Sequence, residues 1–273
     1  MRFIEKLLAA SRRNRSLLCI GLDPDPGLMP ELDACRFNRE IVEATSDLVC
    51  AYKPNIAFYE ALGLEGLKTL ERTVKDVPPE IPVIGDGKRA DIASSSKAYA
   101  RAMFEVFGFD AVTVSPYLGY DSIAPFVDRA DKGVFILCKT SNPGAADFQE
   151  LRCKAAGAAD GERPLFEVVA LKALEWNTRG NIGLVVGATY PSQLQSIRRL
   201  CPDMPLLIPG IGAQGGDLGA VVKHGADANG EKAIINCSRQ ILYASRGKDF
   251  ALAARAEALR LREQINKHLA DRR

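Results

Sequence analysis

Histidine is nearly missing from this chain of 273 residues, which carries only His224 and His268. The first falls in a helix-to-strand connection and the second in the last amphipathic segment, so a Ser-His-Asp nucleophile is not expected. The seven cysteines (19, 35, 50, 138, 153, 201 and 237) never take C-x-x-C spacing, which argues against a disulfide framework and a zinc site. Cys19, Cys50, Cys138 and Cys237 lie in apolar runs, where cysteine behaves as a small buried hydrophobe. A reducing cytoplasm is the expected setting. No apolar run reaches membrane-spanning length and no signal-peptide pattern opens the chain; residues 1–15 read as a short amphipathic helix. Net charge is only +2 without a long basic block, so no nucleic-acid partner is implied. The basic ends (Arg12, Arg13, Arg15, Lys267, Arg272, Arg273) read as solvated helix termini. Aromatics make up 7% of the residues, and Trp176 with the rest reads as helix-face core, not as a stacking platform. No Gly-x-Gly-x-x-Gly follows the first apolar run, which removes the usual dinucleotide fingerprint.

What is there is a rhythm of short apolar runs: residues 17–22, 48–52, 82–85, 111–115, 134–138, 182–187, 206–211 and 233–237. Amphipathic stretches at 38–47, 58–74, 95–107, 165–178 and 191–200 separate them, and 251–268 follows the last. Continuous apolar strands alternating with helices mean a parallel sheet covered by helices. Eight such units in this length predict an α/β fold, a closed (β/α)8 TIM barrel forming a single domain over residues 1–273. A doubly wound open sheet is the alternative, but one domain of that kind normally uses fewer strands. No linker interrupts the series. The one long irregular stretch, about 142–163, is expected to be a βα-loop insertion after the fifth strand, of the kind that often acts as a lid.

In such a barrel the active site collects at the carboxyl ends of the strands. Reading those ends in order gives Asp23, Lys53 with Asn55, Asp86 with Lys88, Ser115, then Lys139-Thr140-Ser141 and Gly187-Ala188-Thr189. Gly210-Ile211-Gly212-Ala213-Gln214-Gly215-Gly216 and Asn236-Cys237-Ser238-Arg239 complete the ring. The densest charge is in Asp86-Gly87-Lys88-Arg89-Ala90-Asp91, which is expected where the third strand gives way to a loop. Residues two apart on a strand project together, so Asp86 and Lys88 would face the same mouth. Two carboxylates flanking an ammonium can hold a lysine charged as a proton donor. An ordinary rim salt bridge, with Asp91 capping the next helix, is the other reading. At the seventh and eighth ends, a glycine-rich turn exposes backbone N–H groups to an anion. Arg239 adds a forked cation suited to phosphate oxygens.

Together, Gly21-Leu22-Asp23, Tyr52-Lys53-Pro54-Asn55, Asp86-x-Lys88-x-x-Asp91-Ile92, Thr140-Ser141-Asn142-Pro143-Gly144, Pro209-Gly210-Ile211-Gly212-Ala213-Gln214 and Ser238-Arg239 resemble the orotidine 5'-phosphate decarboxylase family. The resemblance spans residues 21–239, and the Thr-Ser-Asn-Pro segment is most similar to the bacterial subfamily called type 2. It implies decarboxylation of orotidine 5'-phosphate to UMP and CO2 in pyrimidine biosynthesis, without metal or cofactor, by a cytoplasmic homodimer. Lys53, Asp86, Lys88 and Asp91 would form an alternating charged network, with Asp91 serving the neighbouring subunit. Lys88 would stabilise charge at C6 and deliver the proton that replaces CO2. Asp23 and Lys53 would contact the ribose, Ser141 the pyrimidine edge, and Gln214 with Arg239 the phosphate. Ile92 would also border the substrate. Many relatives carry threonine four residues after Asp91; here Ser95 keeps a hydroxyl, for a ribose contact or for the helix start.

Two rival functions share parts of this pattern. Sugar-phosphate decarboxylases or aldolase-like synthases with the same D-x-K-x-x-D bind Mg²⁺ and carry glutamate at the end of the second strand. Lys53 stands there instead, and an ammonium repels a divalent cation that needs carboxylate oxygens. A non-catalytic barrel that kept only the phosphate site is the second.

Overall fold

The computed structural model describes residues 1–154, 161–212 and 216–272. Eight parallel strands form one sheet: β1 (Leu18–Gly21), β2 (Ala51–Lys53), β3 (Ile84–Arg89), β4 (Ala111–Val114), β5 (Gly133–Lys139), β6 (Ile182–Val186), β7 (Leu206–Pro209) and β8 (Ala233–Cys237). Their order is β2-β1-β8-β7-β6-β5-β4-β3. Bridges Tyr52↔Val83 and Asn55↔Asp86 join the two outermost strands, so the sheet closes into the expected (β/α)8 barrel. Strands β1, β2, β4, β6 and β8 are buried throughout, as expected where helices cover a parallel sheet, whereas the second half of β3 emerges at the rim.

Two apolar layers hold it. Inside the barrel, Cys19, Ala51, Ile84, Ala111, Phe135, Val185, Leu207 and Ile234 pack together. The helix Phe3–Asn14 closes the floor by adding Phe3 and Leu7 to this cluster, with Phe3 edge-on to Phe135 at 5.7 Å between ring centroids. A larger cluster lies between strands and helices. The helix Phe250–Ala270 packs there against Ala34–Thr45, and Phe250 stacks on Phe37 at 5.1 Å. Among the described residues, no helix is long and apolar enough to cross a membrane.

Several elements differ from expectation. The stretch 58–74 is two helices, Ile56–Glu60 and Gly63–Asp76, because Gly63 takes φ +66° between them. The stretch 95–107 begins earlier, as Ala93–Arg101, and passes into a π-helical turn, Ala102–Val106. Helices Tyr120–Val127 and Leu218–Gly225 complete the ring of covering elements; His224 lies in the last turn of the second, not in the connection that follows. Residues 143–149 hold a single 3-10 turn and a short helix. A two-residue antiparallel ladder, Arg152–Cys153 with Arg163–Pro164, ties down that long loop's stem.

The third strand departs most instructively. It was expected to end near residue 85 but runs to Arg89. Gly85 pairs with Val112 and Arg89 with Val114, so Asp86, Gly87 and Lys88 together face Thr113 alone. This is a bulge with two extra residues, and bulges re-aim side chains at barrel rims. A second irregularity falls between Leu137 and Lys139 on β5, immediately before Thr140-Ser141.

Candidate active site

The bulge on β3 sets the centre of the mouth. Lys88 adopts φ +48°, a conformation that costs a non-glycine residue on the order of 1–3 kcal/mol and persists only when its surroundings enforce it. Asp86 and Lys88 therefore converge through this backward turn and not through simple strand alternation. The Lys88 Nζ donates to Asp86 Oδ1 at 2.7 Å, and Lys53 Nζ donates to Oδ2 at 2.9 Å. Thr113 Oγ1 also donates to Oδ1, at 2.9 Å.

Burial separates the members of this cluster. Lys53 is 4% exposed and Asp86 9%, whereas about half of the Lys88 side chain is open to solvent. Burial alone pushes the Asp86 carboxyl upward, but the two ammonium groups outweigh it and hold it well below the usual carboxylate range. Burial likewise works against the charged form of Lys53, yet Asp86 and Asp23 raise it well above the ordinary lysine value. The centre is thus a fixed carboxylate between two cations, one sunk in the barrel and one at its surface.

Two clefts meet over this centre, both bordered by Lys53, Asp86 and Pro209. One, of about 510 Å³, has Lys88 and Thr113 on one side, Leu137, Val185 and Leu207 on another, and Ser141 on the loop above. The other, of about 290 Å³, adds Asp23, Asn55, Gly210, Asn236, Ser238 and Arg239. A polar end, an apolar wall and a charged centre suit an elongated anionic ligand of nucleotide size.

Neighbouring elements fix the remaining residues. Asp23 Oδ1 accepts the Asn55 N–H at 3.1 Å, linking the β1 and β2 ends. Tyr243 Oη donates to the Asp23 carbonyl at 2.7 Å and accepts the Asp25 N–H at 2.8 Å, so the segment after β8 braces the loop after β1. Ser141 sits against Gly187, where an added Cβ would come within 2.8 Å of the Ser141 backbone. Gln149 reaches back to Thr140, accepting its N–H at 2.9 Å and donating to its hydroxyl at 2.8 Å. Arg239 is exposed and, among the described residues, has no side-chain hydrogen bond or ion pair. Gly210 and Gly212 take φ +106° and +93°. Gln214 lies outside the described residues.

Other expected residues stand apart from the centre. Asp91 Oδ1 accepts the neighbouring Ile92 N–H at 2.7 Å and bonds neither lysine of its own chain. It does not reach the helix beyond, whose N-terminus has no side-chain cap. Ile92 is 61% exposed, and Ser95 is also at the surface. Lys139 does not open into the clefts: it is fully buried, 3.1 Å from Glu150 and over the Tyr190 ring at 4.1 Å. Neither histidine borders them. Among the described residues, no group of three or more His, Cys, Asp or Glu side chains could hold a metal ion.

Thr113, Gln149 and Tyr243 were not expected at the site from sequence. Thr113 is one β-branched residue within Ala-Val-Thr-Val and reads as ordinary strand. The other two act through folds of the chain that no local pattern reveals.

Residues 16–254 match the Orotidine 5'-phosphate decarboxylase / HUMPS family. The chain is 55% identical to the orotidine 5'-phosphate decarboxylase of Dehalococcoides mccartyi (strain 195) over 267 residues, covering 97% of this chain and 98% of that protein. It is 54% identical to the protein of the same description from Roseiflexus sp. (strain RS-1), over the whole of both. Among solved structures, Leishmania donovani OMP decarboxylase superposes with a TM-score of 0.85 at 40% identity, covering 99% of each chain. Leishmania donovani UMP synthase gives 0.89 at 42% identity, with 98% of this chain spanning 57% of that one.

Proposed function

The chain belongs to the Orotidine 5'-phosphate decarboxylase / HUMPS family and decarboxylates orotidine 5'-phosphate to UMP in pyrimidine biosynthesis; we propose that it does so through the Lys53–Asp86–Lys88 centre, with Lys88 as proton donor. The observation that carries this reading is the pair of ammonium groups held on opposite oxygens of one buried carboxylate, 2.9 and 2.7 Å away.

The C6–carboxylate bond breaks with its electron pair left on C6, and CO2 departs. That pair lies in the ring plane, where the π-system cannot delocalise it. A cation fixed beforehand beside C6 stabilises it without reorganisation, and the Lys88 ammonium then transfers one proton to C6. Lys88 is left neutral and regains its proton from solvent, to which it is half open. Asp86 holds Lys88 in place, and crowding of the substrate carboxylate against Asp86 adds a ground-state contribution. Asp23 and Lys53 serve the ribose, Ser141 the pyrimidine edge, and Arg239 the phosphate, with Gln214 as its expected companion. Phosphate binding remote from C6 contributes to the chemical step by driving closure over the substrate.

The reaction proceeds in this reading without a metal ion. Both Asp86 oxygens already accept lysine ammonium groups, which leaves a poor donor set for Mg²⁺. Orotidylate absorbance followed in buffer with EDTA is expected to fall at the same rate as without it. Turnover lost to EDTA and restored by Mg²⁺ would favour the metal-dependent relatives. Tight UMP binding with no turnover in either buffer would favour a binding module.

The functional unit is a homodimer in which Asp91, with Ile92 and Ser95, completes the partner's site. Ile92 and Ser95 are exposed just beyond β3 and Asp91 is half-buried beside them, and Asp91 bonds neither lysine of its own chain. Mixing inactive Lys88→Ala and Asp91→Ala proteins is expected to restore part of the activity, because one site of each mixed dimer is intact. Mixtures as inactive as their components would contradict sharing. Seven free thiols, five of them buried, fit a cytoplasmic setting.

A further inference from the structure

We propose that Thr113 is a positioning residue for the decarboxylation: its hydroxyl locks the β3 bulge so that the Lys88 ammonium is held at C6 of the substrate. The inference rests on Lys88 as proton donor and extends that reading to a residue on another strand.

Between the Gly85↔Val112 and Arg89↔Val114 pairs, three residues of β3 face only Thr113 on β4. Their backbone cannot follow the regular pattern, and the Lys88 N–H turns toward Thr113 instead, donating to Oγ1 at 3.0 Å. A hydroxyl has one proton. Having accepted from Lys88, Thr113 gives that proton to Asp86 Oδ1 at 2.9 Å. The same Oδ1 accepts from Lys88 Nζ at 2.7 Å. The result is a closed ring: Lys88 main chain to Thr113 hydroxyl, Thr113 to Asp86, and Asp86 to the Lys88 side chain.

This ring accounts for the strained backbone of Lys88. A left-handed conformation at a lysine relaxes unless something enforces it, and the N–H held by Thr113 is that constraint. Thr113 is 1% exposed, so water cannot replace its hydroxyl. Its neighbours in the sequence, Ala111, Val112 and Val114, are apolar, and nothing else on β4 offers a side-chain acceptor to the bulge. Aspartate alone would orient the ammonium about one bond; the hydroxyl fixes the main chain that carries it.

Thr113→Val keeps the volume while leaving the Lys88 N–H without its acceptor and removing one of the two bonds to Asp86 Oδ1, and Thr113→Ser keeps the hydroxyl. Thr113→Val is expected to lower kcat by about 100-fold, the scale of a 1 Å misplacement of a reacting group. The KM for orotidine 5'-phosphate and the Kd for UMP should stay within about threefold, because the interaction lost acts on the chemical step. Thr113→Ser should recover most of kcat. A Thr113→Val enzyme with kcat near the parent's, or a Thr113→Ser enzyme as slow as Thr113→Val, would overturn the inference. Should Thr113→Val not fold, Thr113→Ser and Thr113→Ala decide it: faster turnover by the serine enzyme supports the hydroxyl's role, and equal turnover overturns it. Lys88→Ala is assayed alongside. If it stays active, the proton-donor reading itself fails; if it is inactive while Thr113→Val is unimpaired, only the Thr113 inference fails.

Discussion

The two sides of the barrel mouth are built on opposite plans. On the β2–β4 side, Lys53, Asp86, Lys88 and Thr113 satisfy one another through contacts of 2.7–3.0 Å. On the β7–β8 side, the glycine turn and Arg239 present a cation with no side-chain partner among the described residues. The first arrangement is complete without substrate, so in the proposed mechanism charge developing at C6 meets dipoles and cations already in place. The second, in that mechanism, receives the substrate phosphate. On this proposal the charged side holds the proton donor at C6, and the open side supplies the phosphate grip whose binding energy drives closure.

The largest effect expected from breaking the charged side follows Asp86→Ala. It removes the carboxylate between two lysines and leaves the almost fully buried Lys53 amine without the partner that favoured its charged form. Activity should vanish, and because breaking a buried pair costs about 3–5 kcal/mol, thermal unfolding should shift visibly downward. An active Asp86→Ala protein of parental stability would erase the distinction between the sides. Arg239→Ala tests the other plan and should act more gently. Losing a charge-assisted hydrogen bond costs about 1.5–3 kcal/mol, so KM should rise roughly 10- to 100-fold with the fold unchanged. The variant should bind uridine and UMP nearly equally. A strong preference for UMP retained in that variant would assign the phosphate grip elsewhere.

The same contrast explains what the sequence made legible. Buried parallel strands read as continuous apolar runs, so all eight were visible, and with them the ring of strand ends. Asp86, Lys88, Lys53 and Arg239 stood out because charge directly after an apolar run is conspicuous. The boundary of β3 was hidden for the same reason: Asp-Gly-Lys-Arg looks like loop, although ladder pairing resumes at Arg89. The bulge was equally invisible, since it depends on what β4 offers opposite. Thr113 and Gln149 matter through contacts 25 and 9 residues away in sequence, which periodicity does not encode. The helices Tyr120–Val127 and Leu218–Gly225 escaped because one contains Pro125 and both are only eight residues long.

The most direct test of the central claim is Lys88→Ala, measured for kcat by loss of orotidylate absorbance and for UMP affinity by calorimetry. A proton donor held by the protein, with binding managed on the other side of the mouth, predicts that decarboxylation disappears while the fold and the UMP Kd stay close to the parent's. Near-normal kcat in Lys88→Ala would contradict it.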